Sequence, residues 1–231
     1  MTYRKDDDSA QPSDPDADSF KQRKVLLRRE LSAHRKTLTD TEKASAAAGL
    51  AAGFAEIPEV KEVISFSTEE SVGAYASFGG EPGTASIREF ATARGLRVAL
   101  PVIRPDFTLD WAWDTGVLEP GRNYEGVPEP AGEIVAHGPD GIVSLHCHVL
   151  LVPALAVDNE GYRMGKGGGF YDRLLGDLEH LAARPLIVAV VHDDEVVESI
   201  PREVHDHPVD AVLTPTRFFR IPGRREYLAL D

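Results

Sequence analysis

A single cysteine, Cys147, is present, which excludes an internal disulfide and fits a reducing compartment. No apolar run approaches the roughly 20 residues that span a bilayer. The N-terminus also lacks the basic-then-apolar pattern of a leader, so a cytoplasmic protein without membrane contact is expected. An excess of positive charge is missing too. With 38 acidic side chains against 25 Lys and Arg, the formal net charge is −13, which argues against binding nucleic acid by phosphate neutralisation. A small anionic ligand stays open, because a few local charges decide a pocket. There is no Gly-x-Ser-x-Gly elbow for a serine nucleophile, and no internal repeat.

Much of the acid is local. Asp6, Asp7, Asp8, Asp14, Asp16 and Asp18 crowd the start of the chain among few apolar residues. Residues 1–19 are therefore expected to be a disordered acidic tail, and residues 20–231 a single α/β domain. From about residue 19, Leu27, Leu31 and Leu38 recur among Lys21, Arg23, Lys24, Arg28, Arg29, Arg35 and Lys36, predicting a very basic helix. TDTE at 39–42 reads as a capping box that opens a second helix to about residue 54. SVGAYAS (71–77) predicts a strand, residues 84–95 a helix ended by Gly95, and LRVALPVI (96–103) another strand. LDWAW (109–113) reads as an outer or edge strand. HVLLVPALAVD (148–158) is apolar enough for a strand buried on both faces. A helix over about 169–182 follows, then strands in PLIVAVVH (185–192) and VDAVLTP (209–215). This alternation predicts a mostly parallel sheet flanked by helices. Ligands of such sheets sit beyond the carboxyl ends of the strands, which marks the loops after Ala76, Pro101, Pro153, His192 and Thr214.

One of those loops lies in GYRMGKGGGFYDRLL (161–175), with five glycines in nine residues. A chain accepts that much backbone freedom to turn tightly or to let something approach. Two familiar nucleotide signatures fail: Lys166 is followed by Gly167 instead of a hydroxyl residue, and Phe170 stands where G-x-G-x-x-G needs its third glycine. Successive N–H groups leading into a helix N-terminus still favour an anion, and Arg163 and Lys166 add charge. A structural turn is the other reading. Asp172, in the first turn of the helix, either complements the dipole or binds magnesium, which takes one or two carboxylates with phosphate oxygens and water. Tyr171 is core or lines a pocket for a flat ring. Lys24 and Arg28, one turn apart, with Arg35 two turns on, form a solvated face or a polyphosphate clamp.

Three smaller features carry less. HCH at 146–148 alternates faces if it is a strand, so a zinc site is not expected, and Cys147 is a poor nucleophile there. Glu203, His205, Asp206, His207 and Asp210 precede the last strand as a polar loop, or as a metal-reaching one through Asp206 or Asp210. Glu81, after two glycines at the same sheet edge, is a solvated acid or a ligand acceptor.

Taken together, these blocks resemble the 5-formyltetrahydrofolate cyclo-ligase (methenyltetrahydrofolate synthetase) family. LLVPALAVDNEGYRMGKGGGFYDRLL (150–175) is the diagnostic block. KVLLR (24–28), YASFGGEPGT (75–84), VALPVI (98–103), EGVPEP (125–130) and IPREVHDHPVDAVLTP (200–215) follow the family's order. The resemblance covers about residues 21–216. It implies a fold similar to the sugar-phosphate isomerase/CoA-transferase group. It also implies an ATP- and Mg²⁺-dependent ring closure of 5-formyltetrahydrofolate to 5,10-methenyltetrahydrofolate, through a phosphorylated formyl (iminium phosphate) intermediate, with ADP and phosphate released.

Carried onto this chain, the resemblance implies that ATP is held by Lys24, Val25, Leu26, Leu27, Arg28 and Arg35 on the basic helix. From the glycine block it adds Arg163, Met164, Gly165, Lys166, Gly167, Gly168, Gly169, Phe170 and Tyr171. Asp172 and Asp206 would bind Mg²⁺, and Glu81 the pterin, with Tyr75, Ala76, Glu125 and Tyr171 near the folate. Lys24, Arg163, Lys166 and Asp172 would carry the chemistry. The partners implied are small molecules, with no nucleic acid and a monomeric chain. Val157 and Phe170 replace a usual Phe and Tyr, DDEVV (193–197) stands where many members have a glutamine, and residues 59–70 fit the pattern poorly. A non-catalytic folate- or nucleotide-binding module on the same fold should have lost Lys24, Arg28, Arg163, Asp172 and Asp206. A phosphosugar isomerase-like enzyme would need neither ATP nor Mg²⁺.

Overall fold

In a computed structural model, which describes residues 15–66, 69–203 and 206–225, the chain opens with three helices. The first, α1 (Pro15–Thr37), begins inside the stretch expected as tail; residues 1–14 lie outside the described residues. Thr39 is extended, its hydroxyl accepts from the Glu42 amide, and the Glu42 carboxylate accepts from the Thr39 N–H. This reciprocal cap opens α2 (Asp40–Ala55). Next comes α3 (Pro58–Phe66), in the segment that fits the family pattern least.

The chain then alternates: β1 (Ser71–Gly73), α4 (Ala85–Ala93), β2 (Arg97–Ile103), β3 (Leu109–Trp113), a hairpin of β4 (Leu118–Pro120) and β5 (Pro128–Pro130), and β6 (Ile134–His137). After these come α5 (Gly138–Ser144), β7 (Cys147–Pro153), β8 (Ala156–Asp158), β9 (Arg163–Met164), α6 (Phe170–Leu178), β10 (Leu186–Val190), β11 (Val196–Val197), β12 (Ala211–Leu213) and β13 (Phe218–Arg220). Eight strands form the main sheet in the order β13-β12-β10-β7-β1-β2-β3-β6. The central β12, β10, β7, β1 and β2 are parallel, while β13, β3 and β6 pair antiparallel toward the edges. This is the mostly parallel, helix-flanked sheet expected.

Alternation along β7 shows how the layers form. Val149 and Leu151 face a core with Leu50 and Phe54 of α2, Ile57 of the following turn, and Ile87 of α4. Leu150 and Val152 face the opposite core, with Ile142, Leu174, Leu175 and Leu178 from α5 and α6. A fully buried Leu or Val contributes roughly 1.5–3 kcal/mol over leaving it exposed, so both faces favour this register.

Three details differ from the sequence reading. The LDWAW strand is one place in from the edge, because β6 pairs outside it. The strand at 71–77 ends at Gly73, and the backbone beyond is tied into its own loop by Thr84 Oγ1 donating to the Tyr75 carbonyl at 2.5 Å. The apolar run 148–158 divides: β7 stays in the main sheet, and β8 joins a three-stranded sheet ordered β11-β8-β9. That small sheet positions the basic helix. Leu27 and Leu31, one turn apart on α1, pack on Ala156, Met164 and Ile200, which suspends Lys24 and Arg28 over the glycine segment. No helix among the described residues is long and apolar enough to cross a membrane.

Candidate active site

Residues 165–169 connect β9 to α6, and their backbone needs glycine. Gly167 and Gly169 have φ of 108° and 71°, a left-handed conformation that L side chains adopt at a cost of roughly 1–2 kcal/mol. A Cβ on Gly168 would lie 2.5 Å from the Phe170 ring. The resulting thin loop separates two cavities. One, of about 240 Å³, is lined by Tyr75, Ala76, Phe78, Glu81, Pro101, Ile103, Leu109, Val127, Pro128, Pro153, Ala154, Lys166, Phe170 and Tyr171, and is mainly apolar. The other, of about 150 Å³, is polar and lined by Lys24, Arg28, Met164, Glu203 and Asp206. Arg163, Gly165, Gly167, Gly169 and Asp172 line both.

The polar cavity holds three cations and three carboxylates. Lys24 Nζ lies 2.7 Å from Asp206 Oδ2 and 2.9 Å from Glu203 Oε2. Burial works against its charge, but the hydrogen bonds to Asp206 and Glu203 outweigh burial and raise the pKa. Arg28 Nε donates to the Gly165 carbonyl at 3.0 Å, which pins the loop to α1. Arg163 Nη2 donates to Asp172 Oδ1 at 2.6 Å, while its Nε is buried without a partner. No cluster of three or more metal-ligating side chains occurs among the described residues. Asp172 and Asp206 in a cavity that also holds cations are nevertheless a donor set that fits magnesium, which takes one or two carboxylates and completes its shell with other oxygens and water.

In the apolar cavity, the Glu81 side chain is 4% exposed and meets Lys166 Nζ at 2.8 Å. Its other oxygen accepts the Phe78 amide at 3.0 Å, and Lys166 Nζ lies 3.8 Å from the Phe78 ring centroid. Tyr75 donates its hydroxyl to the Pro82 carbonyl at 3.1 Å. Burial, then the nearby Glu81 charge, raises the phenol pKa of both Tyr75 and Tyr171 and keeps them neutral.

Other expected residues stand elsewhere. Val25 and Leu26 are exposed on the outer side of α1, and Leu27 packs on the small sheet. Glu125 is exposed and outside the cavity, although Val127 and Pro128 of the same loop line it. Arg35 is buried and lines neither cavity: Nε and Nη2 pair with the two Glu195 oxygens at 2.6 and 2.8 Å, and Nη2 donates to the Ala154 carbonyl at 2.5 Å. Asp210 pairs with Arg184, and His207 with Glu179; His205 lies outside the described residues. His148 pairs with Glu70, and Cys147 is buried with its thiol pKa pushed up to about 12 by burial, which works against the thiolate that a zinc ligand or nucleophile needs. Sequence reasoning did not single out Glu195. Its signal is faint, a His192–Glu195 cap in which Glu195 accepts from the His192 amide at 2.7 Å.

The model of the 5-formyltetrahydrofolate cyclo-ligase family matches residues 20–215. A 5-formyltetrahydrofolate cyclo-ligase of Mycolicibacterium smegmatis is 40% identical over 153 residues, covering 64% of this chain and 74% of that protein. One of Escherichia coli is 35% identical over 157 residues, covering 64% and 79%. Among solved structures, the 5,10-methenyltetrahydrofolate synthetase of Aquifex aeolicus superposes with a TM-score of 0.68 at 26% identity, over 89% of this chain and 96% of that one.

Proposed function

The chain belongs to the 5-formyltetrahydrofolate cyclo-ligase family, an enzyme family, and we propose that it closes 5-formyltetrahydrofolate to 5,10-methenyltetrahydrofolate at the expense of ATP, with Mg²⁺. The observation that carries this reading is the glycine loop, which has a cavity suited to a flat ring on one face and a charged pocket on the other. The pterin lies in the apolar cavity against Glu81, between Tyr75, Ala76 and Tyr171. The triphosphate lies in the polar cavity, held by Lys24, Arg28, Arg163 and the loop N–H groups, with Lys166 reaching the transferred group from the other face.

The formyl oxygen attacks the γ-phosphorus and ADP leaves, which converts a poor leaving group into phosphate. N10 then attacks the formyl carbon and loses its proton, and phosphate departs with the former formyl oxygen. No enzyme nucleophile is needed. Positioning of this kind is worth up to about 7–11 kcal/mol in well-oriented reactions, and fixed charges stabilise the transfer. Mg²⁺, held by Asp172 and Asp206, would neutralise phosphate charge. Lys24 now pairs with Glu203 and Asp206, Arg163 with Asp172, and Arg28 with the Gly165 carbonyl, so ATP with its metal would exchange those partners and limit the buried charge left unpaired. The buried Arg35–Glu195 pair supports a structural role for Arg35 over a phosphate contact.

Absorbance of the methenyl product, with 5-formyltetrahydrofolate, ATP and Mg²⁺ supplied and withheld in turn, tests the reading. Product is expected only when all three are present. Product without ATP, or none from folded protein, overturns it.

A further inference from the structure

The turn between β2 and β3 carries an unusual residue. Phe107 has φ of 65°, a left-handed conformation that strains an aromatic residue and that glycine or asparagine adopts more readily. The residue is also 40% exposed. Phe107 stacks on Phe170 with centroids 5.8 Å apart and an interplanar angle of 24°. Tyr124 completes a triangle at 5.6 Å from Phe107 and 5.4 Å from Phe170. Phe170 lines the apolar cavity, as do Ile103 and Leu109 on either side of the turn. The three rings therefore continue the cavity wall toward solvent.

Arg173 stands on the same face of α6 as Phe170, three residues on. Its guanidinium carbon is 5.5 Å from the Phe107 centroid, and Nη1 donates weakly to the Gly169 carbonyl at 3.4 Å. Unlike Arg163 and Lys166 nearby, it pairs with no carboxylate among the described residues. Asp106, the nearest acid in the turn's sequence, is taken by Thr108 and Arg104.

We propose that Phe107, Tyr124, Phe170 and Arg173 form the subsite for the p-aminobenzoyl-glutamate arm of the substrate, the arm's ring packing on the aromatic triangle and its carboxylates taking the Arg173 guanidinium. This rests on the folate reading above. With the pterin inside the cavity, the arm must leave through the mouth, and its sequence of flat ring then anion matches the rings and then the cation met there. Aromatic faces select such a ring, and a planar arginine fork selects a carboxylate.

The test compares two substrates on the intact chain: 5-formyltetrahydrofolate, and 5-formyltetrahydropteroate, which lacks the glutamate. Wild type is expected to favour the first in kcat/KM by about five- to ten-fold, the scale of one partly exposed charge-assisted contact. Arg173→Gln should shrink that ratio toward one, and Arg173→Lys should restore part of it. Phe107→Asn should raise KM for both substrates through the lost ring contact while keeping its thermal midpoint, because asparagine accepts the left-handed backbone. An unchanged ratio in Arg173→Gln, or equal losses on both substrates, overturns the subsite while leaving the cyclo-ligase reading intact. Failure of wild type to turn over either substrate overturns both.

Discussion

Arg163 and Asp172 meet at 2.6 Å, Nη2 to Oδ1, in the wall that both cavities share. The two partners differ in access: the Arg163 side chain is 2% exposed and that of Asp172 26%. Asp172 is thus the member able to turn toward a ligand, and Arg163 the fixed one. Asp172→Asn is expected to lower Mg²⁺-dependent turnover by about 10²–10³-fold, the scale of losing one preorganised electrostatic contact. It also leaves Arg163 with an uncompensated charge, so a loss of about 1–3 kcal/mol is expected, below the fully buried case because Asp172 is partly solvated. A Mg²⁺ titration beside a urea melt separates the two effects. Wild-type activity across the titration would remove Asp172 from the metal site.

Arg35 and Glu195 should behave differently, because neither touches a cavity. Arg35→Ala leaves the Ala154 carbonyl without this donor and the buried Glu195 carboxylate without its cation, with the His192 amide still donating to it, and an expected loss of about 3–5 kcal/mol follows. Arg35→Lys should recover little, since an ammonium cannot reproduce the two-pronged contact. Urea unfolding reads both. A raised KM for ATP at unchanged stability would return Arg35 to the phosphate site.

That pair also marks the limit of what the sequence carries. The central strands were legible because burial on both faces writes itself as unbroken apolar runs such as Leu186 to Val190, and the cap at Thr39 because its partners are three residues apart. The glycine loop was legible as a tight approach to a helix N-terminus for the same local reason, its glycines standing close together in sequence. Arg35 and Glu195, 160 residues apart, meet only through the tertiary fold, and a buried arginine reads like its solvated neighbours on a basic helix. The edge strands β6 and β13 were missed because they are short and partly exposed, so neither period stands out. The departure of β8 from the main sheet was hidden because its residues stay buried in the small one.

His192 makes stability depend on pH. It sits just past β10, 8% exposed, with Nε2 buried and unpartnered. Burial lowers its pKa from the ordinary 6.5, aided by the Arg35 charge, and the opposing pull of Glu195, Asp194 and the Gly80 carbonyl does not restore it. The unfolded chain therefore takes up the proton more readily than the fold. Its contribution is complete above pH 6.5 and is lost as pH falls from there toward the lowered folded value. Thermal midpoints at about pH 7.5 and about pH 5.5 should differ less in His192→Gln than in wild type. Equal differences would assign the dependence to other groups.

Glu81 and Lys166 offer a prediction with opposite signs. The Lys166 ammonium occupies the carboxylate that the pterin is proposed to use, so folate must displace it. Glu81→Gln removes the charged acceptor and should weaken folate binding by about ten- to a hundred-fold, the worth of a hydrogen bond to a charged group. Lys166→Met removes the competitor instead. KM for folate should hold or fall, while kcat drops because the charge freed toward the transferred phosphoryl group is gone. Steady-state kinetics with saturating ATP separates these, since a loss confined to kcat reports an interaction beyond simple binding. A rise in KM for folate in Lys166→Met, equal to that in Glu81→Gln, would make the pair a joint folate clamp and refute the exchange of partners.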